Sequence, residues 1–223
     1  MKKTKDYSKI YDKNKAYSFN EALEIVKKIN KAKFDPSIEV HVRLGINTKK
    51  SDQQVRGAVS LPHGTGKTLK IAAFVSPENE QAAKDAGADF VGGDELIEEI
   101  KKTEKTDFEV AVAEVAMMRN LAKIAKILGT RGLMPSPKNE TVTPNPVKAI
   151  EELKKGKISY KNDDTGNLHA IIGKLSFEDQ KLVENFQVLI ENIRKAKPSS
   201  TKGTYIKNIS ISSSMSPGIK VAV

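Results

Sequence analysis

The chain has 223 residues, 38% of them hydrophobic, and 38 Lys/Arg against 28 Asp/Glu give a formal net charge of +10, enough length for one large or two smaller cores. Cysteine is absent, which excludes disulfides and thiolate metal sites and fits a cytoplasmic protein, and the three histidines (His41, His63, His169) lack ligand spacing. No run approaches the roughly 18 apolar residues of a membrane span, and Met1-Lys-Lys-Thr-Lys-Asp is not followed by the apolar stretch of a secretory signal.

Residues 1–17 are lysine-rich and aperiodic and read as a tail. Ser18-Phe-Asn-Glu21 is a capping box, and Ala22, Leu23, Ile25, Val26 and Ile29 follow at helical spacing. Ile38–Leu44 alternates strictly, with Glu39, His41 and Arg43 facing out, and Val55–Leu61 reads as a second strand. Leu69–Val75 is the near-continuous apolar run of a sandwiched parallel strand. A helix opened by Ser76-Pro77 stops near Gly87, and a strand at Asp89–Val91 leads to a helix over Glu95–Lys102. Phe108–Val112 is a further strand, Met117–Leu128 a further helix, Gly129–Pro146 a proline-rich loop, and Val147–Lys155 a closing helix. Lys157–Lys161 and Leu168–Ile172 read as a hairpin around Asp163-Asp-Thr-Gly166. Ser176-Phe-Glu-Asp179 repeats the capping pattern before a helix to about Lys197, and the strands Tyr205–Ser213 and Ile219–Val223 close the chain. Alternating strands and helices in the middle predict an inserted Rossmann-like, three-layer α/β domain, set into a split α+β domain built from both termini.

Charge draws the same boundary. Residues 1–66 hold 14 Lys/Arg against 7 Asp/Glu and residues 158–223 hold 9 against 6, whereas residues 67–157 hold 15 of each. The predicted domains are therefore residues 1–66 with 158–223, which face a polyanion, and a neutral insertion, 67–157.

Gly64-Thr-Gly-Lys67-Thr68 looks like the end of a phosphate-binding loop. That loop needs a glycine at position 61, where Leu stands, and Pro62 removes an amide from the nest. No G-x-G-x-x-G follows a strand either, so no nucleotide cofactor, no catalytic residue and no metal is expected.

The longer segment Val55-Arg-Gly-Ala-Val-Ser-Leu-Pro-His-Gly-Thr-Gly-Lys67 resembles a signature of the L-one family of large-subunit ribosomal proteins. Further landmarks run in order along the chain: Lys31–Asp35, Glu39–His41, Leu44–Ile46, Ala86–Gly93, Arg131–Pro135, Asn162–Gly166, His169 and Lys202–Thr204. The resemblance implies the same split architecture, no enzymatic activity, and a place on a mobile protrusion of the large subunit. Implied partners are large-subunit ribosomal RNA, exit-site transfer RNA and the messenger of its own operon, bound by a protein that is a cytoplasmic monomer when free. The chain departs from the family at Ser216, where Gly is usual, and at Thr130, Ser136 and Glu140. From charge alone, a general nucleic-acid chaperone acting through lysines is the competing reading.

Structured RNA is read through 2′-hydroxyls and phosphates, which suit short hydroxyl side chains and Lys or Arg respectively. By composition Ser212, Ser213 and Ser214 form a polar strand end and Phe34 belongs to a core. The resemblance instead places them, with Met215 and Lys33, against RNA. Thr165 and His169 flank the turn of the predicted hairpin, and Lys202 and Thr204 precede the terminal strands. Arg56 and His63 fit either RNA or the hinge.

Overall fold

The computed structural model describes residues 10–222. In chain order, α1 (Phe19–Ile29), β1 (Ser37–Leu44) and β2 (Arg56–Ser60) come first. The middle carries β3 (Ile71–Phe74), α2 (Glu80–Asp85), β4 (Phe90–Gly92), α3 (Asp94–Thr103), β5 (Val110–Glu114), α4 (Met118–Leu121), α5 (Ala125–Thr130), β6 (Val142–Thr143) and α6 (Pro146–Lys154). Then follow β7 (Lys157–Lys161), β8 (Asn167–Lys174), α7 (Asp179–Lys195), β9 (Ile206–Ser213) and β10 (Ile219–Val221). The architecture is mixed α/β, and the chain groups into two compact units, one of residues up to Gly66 with those from Ile158, the other Lys67–Lys157.

In the first unit a four-stranded antiparallel sheet runs β10-β9-β1-β8. Alternation in β1 buries Ile38, Val40, Val42 and Leu44 on one face, where they join Leu23 and Val26 of α1 and Leu182 and Leu189 of α7 in a common core. The capping box starts α1: the Ser18 amide donates to Glu21 Oε2 at 2.9 Å, and the Glu21 amide donates to Ser18 Oγ at 3.4 Å. Phe19 of α1 stacks on Phe186 of α7 at 4.1 Å between ring centroids. The second capping pattern serves a different purpose. The N-cap of α7 is Glu178, without a side-chain bond, because Ser176 Oγ donates to Asp35 at 2.8 Å and pins the approach to β1.

The expected hairpin does not form. β7 pairs with β2 in a separate two-stranded sheet, and just past its end the bridge Asn162–Leu168 and the Asp163 amide, which donates to the Asn167 carbonyl at 2.7 Å, link the chain to β8. The reason is the Asp163–Asn167 loop, whose internal bonds turn the chain from one sheet into the other. Of the tail, residues 1–9 lie outside the described residues. Residues 10–17 are tied in: Tyr11 is buried, and the Tyr17 amide donates to the Lys220 carbonyl at 3.0 Å.

In the second unit the strands run β4-β3-β5-β6, all parallel. β3 is buried along its length, because each face is covered. Ala72 and Phe74 meet Ile97, Leu121 and Leu128 on one side, and Ile71 and Ala73 meet Ala83, Ile150 and Leu153 on the other. Two expectations are revised. The helix over Met117–Leu128 is broken by a 3-10 turn at Ala122–Ile124. The proline-rich loop contains β6, too short to announce itself by alternation, which docks on Ala113 and Glu114 of β5.

Candidate nucleic-acid interface

The face of the four-stranded sheet opposite the core carries no helix among the described residues. Strand register lines up its outward residues in rows: Ser212, Glu39 and Ile171; then Ser210, His41 and His169; then Asn208, Arg43 and Asn167. Lys220 of β10 stands opposite Ser210. The face is a field of hydroxyls, imidazoles, amides and cations, with one carboxylate and an Ile171 that is 38% exposed.

Side chains bridge these strands. His41 Nδ1 lies 2.7 Å from His169 Nδ1, and His41 Nε2 lies 2.9 Å from Ser212 Oγ. Arg43 Nη1 donates to Asn167 Oδ1 at 3.0 Å. Desolvation, and secondarily the neighbouring His169, lower the pKa of His41, so its ring is neutral near pH 7. Asp163 anchors the loop before β8: its carboxylate accepts from the amides of Asn167 (2.7 Å) and Thr165 (2.9 Å) and from the side chains of both. Those bonds, the Asn167 amide first, hold its carboxyl well below the usual carboxylate range.

The expected site residues fall into two groups at opposite ends of this face. At the start of β1, Ser37 makes two bonds to the segment after β9: the Ser214 amide donates to the Ser37 carbonyl, and the Ser37 amide donates to the Ser214 side-chain Oγ, both at 3.2 Å. Lys33 and Phe34 precede that contact and Met215 follows it. Phe34 is 57% and Met215 76% exposed, so two large apolar side chains stand in water beside polar neighbours. At the other end are Thr165, Lys202 and Thr204, all exposed. The loop holding Thr204 presses on β1 so closely that a Cβ at Gly45 would lie 2.2 Å from the Thr204 carbonyl oxygen. β1 spans eight residues between the two groups, about 23 Å at ~3.3 Å per step. His169 lies between them.

Two serines do not present themselves as expected. Ser213 pairs with the inward Ile38 and is 2% exposed, so its hydroxyl faces the core, not the open face. Ser212 faces out, but its oxygen already contacts His41. Ser216, where the sequence departs from the usual Gly, sits without a positive φ. Its Oγ accepts from the Ser213 amide at 2.8 Å, so the side chain closes the turn that displays Ser214 and Met215. Glu140, another departure, does adopt a left-handed φ of 56°, and its carboxylate pairs with the buried Lys157 together with Glu152.

His41, Arg43, Asn167 and Asn185 were not singled out as functional from sequence. Outward alternation in β1 marked the first two, but nothing local joins them to β8 and β9. Asn185 explains the Leu61–Gly66 segment. Fully buried on α7, its Nδ2 donates to the carbonyls of Gly64 (3.0 Å) and Ile172 (2.7 Å), and its Oδ1 accepts from the His63 amide at 3.2 Å. His63 in turn contacts Glu184 at 2.5 Å. Lys67 pairs with Glu109. The loop that resembles a phosphate cradle is thus held by protein groups.

The chain is thus a basic, mixed α/β protein with an open sheet face rich in hydroxyls and amides. Its sequence matches the model of the Ribosomal protein L1p/L10e family over residues 26–217. It is also similar to the Large ribosomal subunit protein uL1 of Kosmotoga olearia, 51% identical over 213 residues that cover 96% of this chain and 92% of that one. The chain belongs to this ribosomal-protein family.

Proposed function

We propose that the protein is a structural constituent of the large ribosomal subunit that binds ribosomal RNA through the open sheet face and the turn after β9. The pairing of exposed Phe34 and Met215 with the Ser37–Ser214 contact carries this reading, because apolar side chains beside hydroxyls suit the ribose edge of paired RNA. Lys33 and Lys202, exposed at the two ends, supply phosphate contacts in this reading. The two compact units act as separate domains, with the charged terminal one holding RNA and the neutral one, 67–157, inserted into it. Family resemblance further supports a place in the cytoplasm on the mobile stalk, where the protein assists release of deacylated transfer RNA, and repression of its own operon's messenger. Among the described residues no helix is long and apolar enough to cross a membrane.

The test is binding to a large-subunit ribosomal RNA fragment against a scrambled RNA across a salt series. A specific interface keeps a preference for the ribosomal fragment at salt where non-specific binding has gone. Equal affinity for both RNAs at every salt would instead favour the chaperone reading.

A further inference from the structure

His169, His41 and Ser212 form a hydrogen-bonded row with Asp163 at one end, its Oδ2 3.8 Å from His169 Nε2. The row has a polarity, and that polarity follows from counting protons. The two imidazoles meet through their Nδ1 atoms at 2.7 Å. One must donate and the other accept, so only one Nδ1 can carry hydrogen. If His169 were the donor in the neutral pair, its Nε2 would present a lone pair toward Asp163 Oδ2, which lies 3.8 Å away. Two electron-rich atoms would face each other beside a carboxylate that is ionised throughout the neutral range. The opposite arrangement has no such conflict. His169 carries its hydrogen on Nε2, His41 donates from Nδ1, and Ser212 Oγ donates to His41 Nε2 at 2.9 Å.

The same row can take one further proton without losing a bond. His169 then holds hydrogens on both nitrogens and donates from Nδ1 to His41. His41 donates from Nε2 to Ser212, whose hydroxyl hydrogen turns outward. A second proton would set two N–H groups against each other at 2.7 Å and is refused. In both permitted states His169 Nε2 is a donor, and 54% of that side chain is exposed. Charges around the pair are balanced: Glu39 and Arg43 flank His41 on β1, Asp163 lies beside His169, and Lys220 stands across Ser210.

We propose that this row is a one-proton relay that fixes His169 Nε2 as a hydrogen-bond donor to an RNA phosphate or 2′-hydroxyl oxygen, with His41 and Asp163 as positioning residues. The inference rests on the RNA-binding reading above and adds a specificity element to it. A polyanion favours the singly protonated relay, so binding takes up at most one proton, and affinity rises as pH falls through the relay's titration.

The experiment is imidazole 15N NMR on the free protein, made simple by a total of three histidines. His169 is expected as the Nε2–H tautomer and His41 as Nδ1–H near neutral pH, and the pair is expected to take up one proton, not two, while the sheet stays folded. His41→Leu, with the fold checked by circular dichroism, should return His169 to a mixture of tautomers and weaken ribosomal RNA binding several-fold. Ser212→Ala, a milder change, should move the His41 nitrogen signals without altering His169 Nε2–H. A neutral His169 protonated on Nδ1, or two histidines that titrate independently in the intact sheet, would overturn the inference and leave the RNA reading standing. So would His41→Leu binding RNA as the parent does with the same pH dependence. Failure of the parent protein to prefer ribosomal RNA would overturn the reading and the inference together.

Discussion

Asn185→Ala should be among the most damaging single changes in the terminal unit, although position 185 touches no expected ligand. The side chain is 0% exposed and satisfies three backbone groups: the carbonyls of Gly64 and Ile172 and the His63 amide. Truncation leaves two carbonyls without a partner in a packed region, at about 1–3 kcal/mol each. The His63 amide lies in an exposed residue and can be rehydrated, so its loss adds about 0.5–1 kcal/mol. The expected total is about 2.5–7 kcal/mol. The assay exploits a feature of composition: all five tyrosines lie outside residues 67–157, and the chain has no tryptophan. Tyrosine fluorescence or near-ultraviolet dichroism during urea unfolding therefore reports the unit that contains Asn185. A loss below about 1 kcal/mol at unchanged m-value would refute the argument that Asn185 holds the Leu61–Gly66 loop, since one ordinary hydrogen bond would account for it.

Met215→Ala or Ser214→Val should weaken ribosomal RNA binding by about 1–3 kcal/mol, as desolvated contacts do, without changing the salt slope; neutral effects would move the contact away from this turn. Lys33→Ala and Lys202→Ala should each lower the salt slope by up to about one unit, as loss of one phosphate contact requires, read from dissociation constants across a salt series. Asp163 has a folded pKa depressed below its ordinary value of 3.8, so its stabilising contribution is present above that pH and is lost as pH falls below it. Asp163→Asn should lower the melting temperature at pH 7 and narrow the gap to the value at pH 3, and an unchanged gap would show that the carboxylate does not hold the loop. Titration with ATP and magnesium should show no saturable binding, because Lys67 is paired with Glu109 and Leu61 and Pro62 spoil the nest; micromolar affinity abolished by Lys67→Ala would reverse that conclusion.

Periodicity alone placed most elements, because an amphipathic segment must bury its apolar side wherever it docks. The alternation of Ile38–Leu44 became β1, the capping box at Ser18 opened α1, and the unbroken apolar run at Leu69–Val75 became β3, covered on both faces. Local signals failed where a long-range partner outbid them. Ser176 bonds to Asp35 instead of capping α7, β7 joins β2 instead of β8, and the two residues of β6 exist only because β5 offers them an edge. The candidate site divides in the same way. Its chemical types, hydroxyls, imidazoles and lysines in a basic chain, were legible in the sequence, as was the outward facing of His41 and Arg43. What tertiary structure alone decided is adjacency. Register across β8, β1 and β9 sets His41 between His169 and Ser212, residues more than a hundred positions away in the chain, and it turns Ser213 inward beside Ile38 while leaving Met215 in water. A strand's sequence fixes which side chains share a face, but hydrogen bonding between distant strands fixes which of them touch.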